Sequence, residues 1–300
     1  MKIKPFLALL PCAVFGLWSL GARAETSVPP AEPRFFERLW QWDKQRFYQV
    51  QLENVRGRVV FRHWDQPGVL VQASLRATHA LGTEELRLFQ GAEFQAQEES
   101  PGVVSLRASF PGVSSNHPAV VAAATPHLEM DWRLTLPASS VLTVRQEVGG
   151  IVGHGVSGRL DLRSRDGEIH LSEIAGWLEA SNERGDITLT RVAGDAEIRS
   201  LRGRLLCSGQ TGDLRVLSSH GDIFVSVSPR WVGEVSFTTV SGNIRTDLST
   251  RNTDLQPGDR GYEGIMQGPL AASEASPTSR IRVDTLHGGL TVATEKHAPE

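Results

Sequence analysis

The sequence predicts an all-β protein, and three features of its middle third support this prediction. Nine glycines recur there at a constant spacing of nine residues, and a short fixed period is typical of repeat architectures. Apolar residues stand two and four positions after almost every glycine. Mostly polar residues separate them, and this period-two alternation is typical of a strand with one buried face. The glycines are Gly149, Gly158, Gly167, Gly176, Gly185, Gly194, Gly203, Gly212 and Gly221.

The corners between these strands are of two kinds, so the full repeat is eighteen residues. An apolar residue lies seven positions after alternate glycines, at Val156, Ile174 and Val192, whereas the intervening glycines give Arg165, Glu183, Leu201 and Ser219 there. Glycine supplies the backbone freedom that a sharp corner needs. We therefore expect a β-solenoid (β-helix) with 18-residue, two-strand coils and an irregular β N-terminal part.

Stacked coils would place like residues above one another. The apolar positions would then face inward and form one continuous core between two strand faces. A polar column at eighteen-residue spacing, made of Ser164, Asn182, Ser200 and Ser218, is expected to form hydroxyl and amide ladders as corner chemistry rather than as a binding site. The inward residues are Ile151, Leu160, Leu162, Ile169, Leu171, Leu178, Ala180, Ile187, Leu189, Ala196, Ile198, Leu205, Cys207, Leu214, Val216, Ile223 and Val225.

Residues 1–24 are predicted to be a secretory signal peptide. Two lysines open the segment, an apolar run follows over residues 6–20, and a small-x-small cleavage site ends at Ala24. The apolar run is too short to span a membrane comfortably, so we expect an exported protein without a transmembrane segment. Pro11 stands before Cys12, where a lipoprotein signal would have a small residue, and this disfavours a lipoprotein.

Charge and cysteine content narrow the classes of partner. The chain has 31 basic and 34 acidic residues, and the predicted signal peptide holds three of the basic ones, which leaves 28. This acidic balance argues against nucleic acid and against anionic membrane surfaces. Cys207 would be the one cysteine left after cleavage, so no intrachain disulfide is expected, and its inward position predicts a small buried apolar residue.

Residues 25–47 are expected to form a linker and a capping segment. Its aromatic-rich part, residues 35–47, suits either a cap over the end of the strand stack or an amphipathic helix that docks on a membrane or partner. We favour the cap, because open strand edges aggregate. Residues 48–294 are expected to form a single domain, with the regular ladder at 149–228 and a loop at 249–279.

Three short motifs support a more specific interpretation. They are VVFRHWD at 59–65, LTLP at 134–137 and IRVDT at 281–285, with tandem Ser/Ala-Gly-x-apolar repeats between the last two. In this order, they make residues 48–293 resemble the bacterial putative-adhesin family, a domain of unknown function found in adhesin-like β-helical envelope proteins. The resemblance implies a secreted or periplasmic, non-catalytic β-solenoid, and it carries over no catalytic or ligand-binding residue.

No catalytic residue, cofactor or metal site is predicted. Acidic residues such as Asp186 and Asp222 follow corner glycines, and aspartate is common in such turns. Their position therefore argues against the interpretation as a carbohydrate lyase or glycosidase. Calcium-binding nonapeptide rolls share the period but need G-G-x-G-x-D, and here an apolar residue replaces that aspartate. His154, His170 and His220 fall in different columns and have no close His or Cys companion in sequence.

Two outward-facing sets are the candidate interaction surface. Asp161, Glu179 and Glu197 recur at eighteen residues and should stack as an acidic column, for which a solvated, ion-paired face is the favoured interpretation. Leu206 and Phe224 are apolar although they face outward, which indicates either cover by the 249–279 loop or a contact patch.

The sequence therefore predicts a non-enzymatic exported protein of the periplasm or cell surface, which offers its strand faces to an envelope protein or glycan. Two other functions stay open: a polysaccharide-acting β-helix enzyme, and a periplasmic scaffold or stress-response accessory. Two carboxylates about 5 to 10 Å apart in a pocket would favour the enzyme.

Overall fold

The computed structural model of the protein describes residues 35–42, 48–114, 117–228, 231, 233–246, 248, 262–267 and 279–295. The predicted signal peptide, most of the predicted linker and most of the 249–279 segment lie outside these residues. Within the described part there are 21 strands and two helices.

The secondary structure is almost entirely β, as the alternation predicts. The two helices are α1 (Thr83–Gly91) and α2 (Pro118–Ala124). The strands are β1 (Phe35–Trp42), β2 (Gln49–Arg56), β3 (Val59–His63), β4 (Val69–Ala77), β5 (Glu93–Ser100), β6 (Val103–Ser109), β7 (Leu128–Leu136), β8 (Ser140–Val148), β9 (Ile151–His154), β10 (Ser157–Asp166), β11 (Ile169–Arg184), β12 (Ile187–Ala193), β13 (Ala196–Arg202), β14 (Leu205–Ser208), β15 (Leu214–His220), β16 (Ile223–Val227), β17 (Gly233–Ser241), β18 (Ile244–Thr246), β19 (Tyr262–Gln267), β20 (Ser279–His287) and β21 (Leu290–Thr294).

The expected β-solenoid of repeated two-strand coils is wrong as the fold class. All 21 described strands belong to one mixed sheet, which is nearly closed and barrel-like. Antiparallel pairs occur at both ends of the sheet, as in β4 with β7, β5 with β6 and β17 with β19. Near-closure leaves few strand edges exposed, and this is a common way for all-β proteins to manage their edges.

The sheet has two sides, which face each other across one core. We call them the front and back sides, and β11 runs from the back (169–172) to the front (175–184). The order of neighbours on the front side is β5, β6, β2, β8, β10, β11, β13, β15, β20, β17 and β19. On the back side it is β1, β4, β7, β3, β9, β11, β12, β14, β16, β21 and β18.

Two pairs of strands lie in the sheet out of their order in the sequence, one near each end of the chain. Strands β2 and β3 lie between β6–β7 and β8–β9. In the same way, β20 and β21 lie between β15–β16 and β17–β18. From β8 to β15, paired residues on consecutive front-side strands are eighteen positions apart in sequence. Where β15 pairs with the inserted β20, the separation is 67 positions, as between Leu214 and Ile281.

The core lies between the two sides, and every residue predicted to face inward is buried within it. At the N-terminal end the core is aromatic: Trp132 is fully buried, and the Trp40 ring stacks on it at a centroid distance of 6.3 Å. Trp40 lies in β1, so the alternative of an amphipathic helix is wrong for residues 35–42. A second, smaller cluster packs α1 and α2 against the ends of β4 and β7, around Leu75, Leu88 and Met130.

Stacked glycines form the corners that lead from the front side to the back. Each has a φ between +119° and +152°, a range that L-residues with a side chain rarely adopt. A Cβ added to a corner glycine would overlap a backbone carbonyl oxygen, that of Met130 at Gly57 and that of the preceding glycine in the stack at the others. In spatial order the corner glycines are Gly57, Gly149, Gly167, Gly185, Gly203, Gly221, Gly288 and Gly242.

Cys207 is 1% exposed on the inner face of β14, and burial raises its pKa to about 12. Because the thiolate is the reactive form, we expect Cys207 to resist labelling by 5,5′-dithiobis(2-nitrobenzoate) at pH 8 in the folded protein. A Cys12→Ser background leaves Cys207 as the one thiol. Labelling should become fast in denaturant, and fast labelling of the native protein would contradict the burial of this side chain.

Candidate functional site

The predicted acidic column is present on the outer face of the front side. Asp161, Glu179 and Glu197 occupy neighbouring register positions on β10, β11 and β13. Arg163 contacts Asp161 at 3.1 Å and Glu179 at 3.9 Å. Arg199 contacts Glu197 at 2.6 Å, and this hydrogen bond raises the pKa of Arg199. The carboxylates therefore already have basic partners within the chain.

Leu206 and Phe224 are also neighbours, in register on β14 and β16. They lie on the outer face of the back side, where Leu206 is 40% exposed and Phe224 is half-buried. The two predicted sets therefore lie on opposite sides of the sheet and do not form one site. Whether either set binds a partner stays a prediction.

A larger apolar surface lies at the C-terminal end of the front side, where sequence reasoning did not place a site. Leu201, Leu286 and Val240 are 46%, 48% and 45% exposed, although each lies in a strand. They come from β13, β20 and β17, and the half-buried Leu217 of β15 lies among them. We call Leu201, Leu217, Val240 and Leu286 the apolar patch.

The same column of the sheet is charged on the strands in the middle of the front side. Leu201, Leu286 and Val240 all stand two residues before a corner glycine. The equivalent residues on β8, β10 and β11 are Glu147, Arg165 and Glu183, and Arg165 contacts Glu147 at 3.1 Å and Glu183 at 3.8 Å. One column therefore changes from an ion-paired ladder to exposed aliphatic side chains.

The apolar patch lines a shallow concavity of about 570 Å³. The carboxylates in its wall are Glu183 and Asp284, which contact Arg165 and Arg282 respectively. The strands that carry these residues, β11 and β20, are three strand spacings apart, about 14 Å between backbones, and Asp284 is offset by two more residues along its strand. The carboxylate pairs of glycosidases lie about 5 to 9.5 Å apart, so these two are too distant to act together.

The histidines that come together in space do so in pairs. The rings of His220 and His287 are 5.0 Å apart, and those of His79 and His127 are 5.1 Å apart. Burial alone would raise the pKa of Glu85, but its hydrogen bonds with His127 outweigh this, and the pKa is lowered. Across the described residues, no three His, Cys, Asp or Glu side chains form a group that could hold a metal ion.

Comparison with known proteins gives weak structural similarities. No family model matches the chain, and no curated protein sequence matches it significantly. A solved structure described as a putative cell adhesion protein from Clostridium sporogenes is 8% identical, covers 88% of this chain and all of its own length, and has a TM-score of 0.35. One described as a putative adhesin from Bacteroides fragilis is 12% identical, covers 88% of this chain and 98% of its own, and has a TM-score of 0.44.

The resemblance expected from the sequence motifs is thus also found among solved structures, because these neighbours carry adhesin names. In the described part of the chain, no helix is long and apolar enough to cross a membrane.

Proposed function

We propose that the protein is exported to the periplasm or cell surface and acts there as a non-enzymatic, adhesin-like binding protein. The apolar patch is its contact surface, and the partner is an envelope protein. One observation carries this proposal: three aliphatic side chains of one sheet face stay nearly half exposed, whereas the same column is ion-paired on β8, β10 and β11.

Exposed apolar patches rimmed by polar groups commonly mark interaction surfaces, because water is displaced favourably only when a partner covers them. The chemistry of this patch favours a protein over a glycan. Its four side chains are aliphatic and offer a sugar no aromatic face to stack on, and the polar side chains of the concavity, such as Ser219 and Thr238, lie beside them. Arg199 and Arg282 stand at the rim, where polar residues surround the apolar centre of a typical interface.

Export rests on the sequence of residues 1–24, which has the three regions of a signal peptide. Its test is the mass of the protein recovered from cells, which is expected to begin at Glu25. Recovery of the uncleaved chain from the cytoplasm would contradict the proposed location.

A photoreactive amino acid at Leu286 tests the contact surface in intact cells. We expect irradiation to link the protein to a distinct partner of defined mass, because Leu286 lines the concavity between Ser219 and Val240. The same amino acid at Arg165 is the matched control, since Arg165 occupies the same column on the ion-paired strands. Equal crosslinking from both positions, or none from Leu286, would contradict this role of the apolar patch.

A further inference from the structure

Eight polar side chains form an inward-facing column along the front side. Each stands three residues before a corner glycine, and none is more than 6% exposed. In spatial order they are Asn54, Gln146, Ser164, Asn182, Ser200, Ser218, Thr285 and Thr239. A buried polar group without a hydrogen-bond partner lowers the stability of the fold, so each side chain of this column needs a partner.

Two amide side chains of the column, Asn182 and Gln146, donate to corner glycines, whereas Asn54 donates to the Met130 oxygen and to Gln146. Asn182 Nδ2 donates to the carbonyl oxygens of Gly167 and Gly185, at 2.7 and 2.9 Å. Gln146 Nε2 likewise donates to the carbonyl oxygen of Gly57 at 2.7 Å. Within the described chain, no main-chain N–H donates to these glycine oxygens. The two N–H groups of Asn182 thus join two consecutive corners, while its Oδ1 has no hydrogen-bond partner within the described protein.

The hydroxyl side chains of the column are too short to do the same. Their oxygens are buried and have no hydrogen-bond partner within the described protein. The expected ladder of hydroxyls along the stack is therefore not formed. These five hydroxyl positions are Ser164, Ser200, Ser218, Thr285 and Thr239.

We propose that each hydroxyl position binds one buried water molecule, which takes the place of the missing amide group. At Ser200, the water would donate its two hydrogens to the carbonyl oxygens of Gly185 and Gly203 and accept the hydroxyl hydrogen of Ser200. These are the positions that correspond to Gly167 and Gly185 around Asn182. Three hydrogen bonds are typical of a buried water.

The size and spacing of the column fit separate, fixed waters. Serine has two heavy atoms fewer than asparagine, which leaves room comparable to one water, and threonine has one fewer. Neighbouring positions are about 4.8 Å apart along the stack, too far for direct hydrogen bonds between the waters. The waters are therefore part of the corners, and each one belongs to a single serine or threonine.

Crystal structures of the wild-type protein and of Ser200→Asn test this proposal. We expect water density within hydrogen-bond distance of Ser200 Oγ and of the Gly185 and Gly203 oxygens. In Ser200→Asn this water should be absent, and the new amide should repeat the bonds of Asn182 with no fall in Tm. A dry position in the wild type, or a lowered Tm in Ser200→Asn, would overturn the proposal.

Oxygen-17 relaxation dispersion counts long-lived internal waters in solution. We expect the count to fall by one in Ser200→Asn and to rise by one in Asn182→Ser. The second variant tests the proposal independently if the first does not fold. The matched control is Ser181→Asn, because Ser181 points outward from the same strand as Asn182. An unchanged count in both inward variants would overturn the proposal.

Discussion

Replacement of Ile187 by aspartate is expected to lower the free energy of unfolding by about 4 kcal/mol, because it places an unpaired charge in the core. Ile187 is fully buried and lies between Ile169 and Leu205 in the stack. Urea denaturation followed by circular dichroism gives the value. The loss should be smaller at pH 4 than at pH 8, since burial raises the pKa of a carboxyl and the protonated form is less costly to bury.

Thr188→Asp is the matched control for that measurement. Thr188 is the next residue in β12 and faces outward, where it is half-buried beside Leu206. A surface substitution of this kind is expected to change the stability by no more than about 0.5 kcal/mol. Equal losses at both positions would mean that the inner and outer faces of β12 have been assigned wrongly.

Replacement of Gly203 by alanine is expected to cost about 3 kcal/mol or more, as large as a core substitution. Two effects add. The backbone φ of +147° is unfavourable for alanine, and the new methyl group would overlap the carbonyl oxygen of Gly185. Because that oxygen belongs to the backbone of the neighbouring corner, it cannot rotate away as a side chain would. Thermal and urea denaturation measure the loss.

Gly91→Ala is the control for the corner glycine. Gly91 is the last residue of α1, and an added Cβ there would have nothing within 4 Å. Its stability is expected to stay within about 0.5 kcal/mol of the wild type. If Gly203→Ala behaves in the same way, the glycines do not owe their spacing to close contact at the corners.

The inward and outward faces of the strands could be predicted from the sequence, because they depend on local alternation alone. Ile187, Ala196 and Cys207 are buried as expected, although two of them are small. The requirement for glycine at the corners was only partly predictable. Corner geometry was expected, but the stacking of glycine on glycine requires knowledge of which corners are neighbours.

The order of strands could not be predicted, and the fold class was wrong for this reason. Alternation determines which face of a strand is buried but not which strand lies beside it. The insertion of β20 between β15 and β17 joins residues that are 67 positions apart. The helices α1 and α2 were missed as well, since they are only 9 and 7 residues long within a segment of irregular pattern.

The apolar patch is a consequence of that insertion. Val240 and Leu286 were visible as apolar residues two positions before a glycine, as was Leu201. Only the strand order β13, β15, β20 and β17 brings the three together on one face. The acidic column, by contrast, lies within the eighteen-residue register and was found from the sequence as an ion-paired face.

The central claim is that the apolar patch binds an envelope protein. The most direct test substitutes residues of the patch and measures the yield of crosslinking from Ser219. Ser219 lines the same concavity and lies between Leu201 and Leu286 in the register. With a photoreactive amino acid at Ser219, the double variant Leu201→Glu, Leu286→Glu should lose the crosslinked partner while its melting curve stays close to that of the parent. An undiminished yield of the same crosslinked product in that folded double variant would contradict the claim.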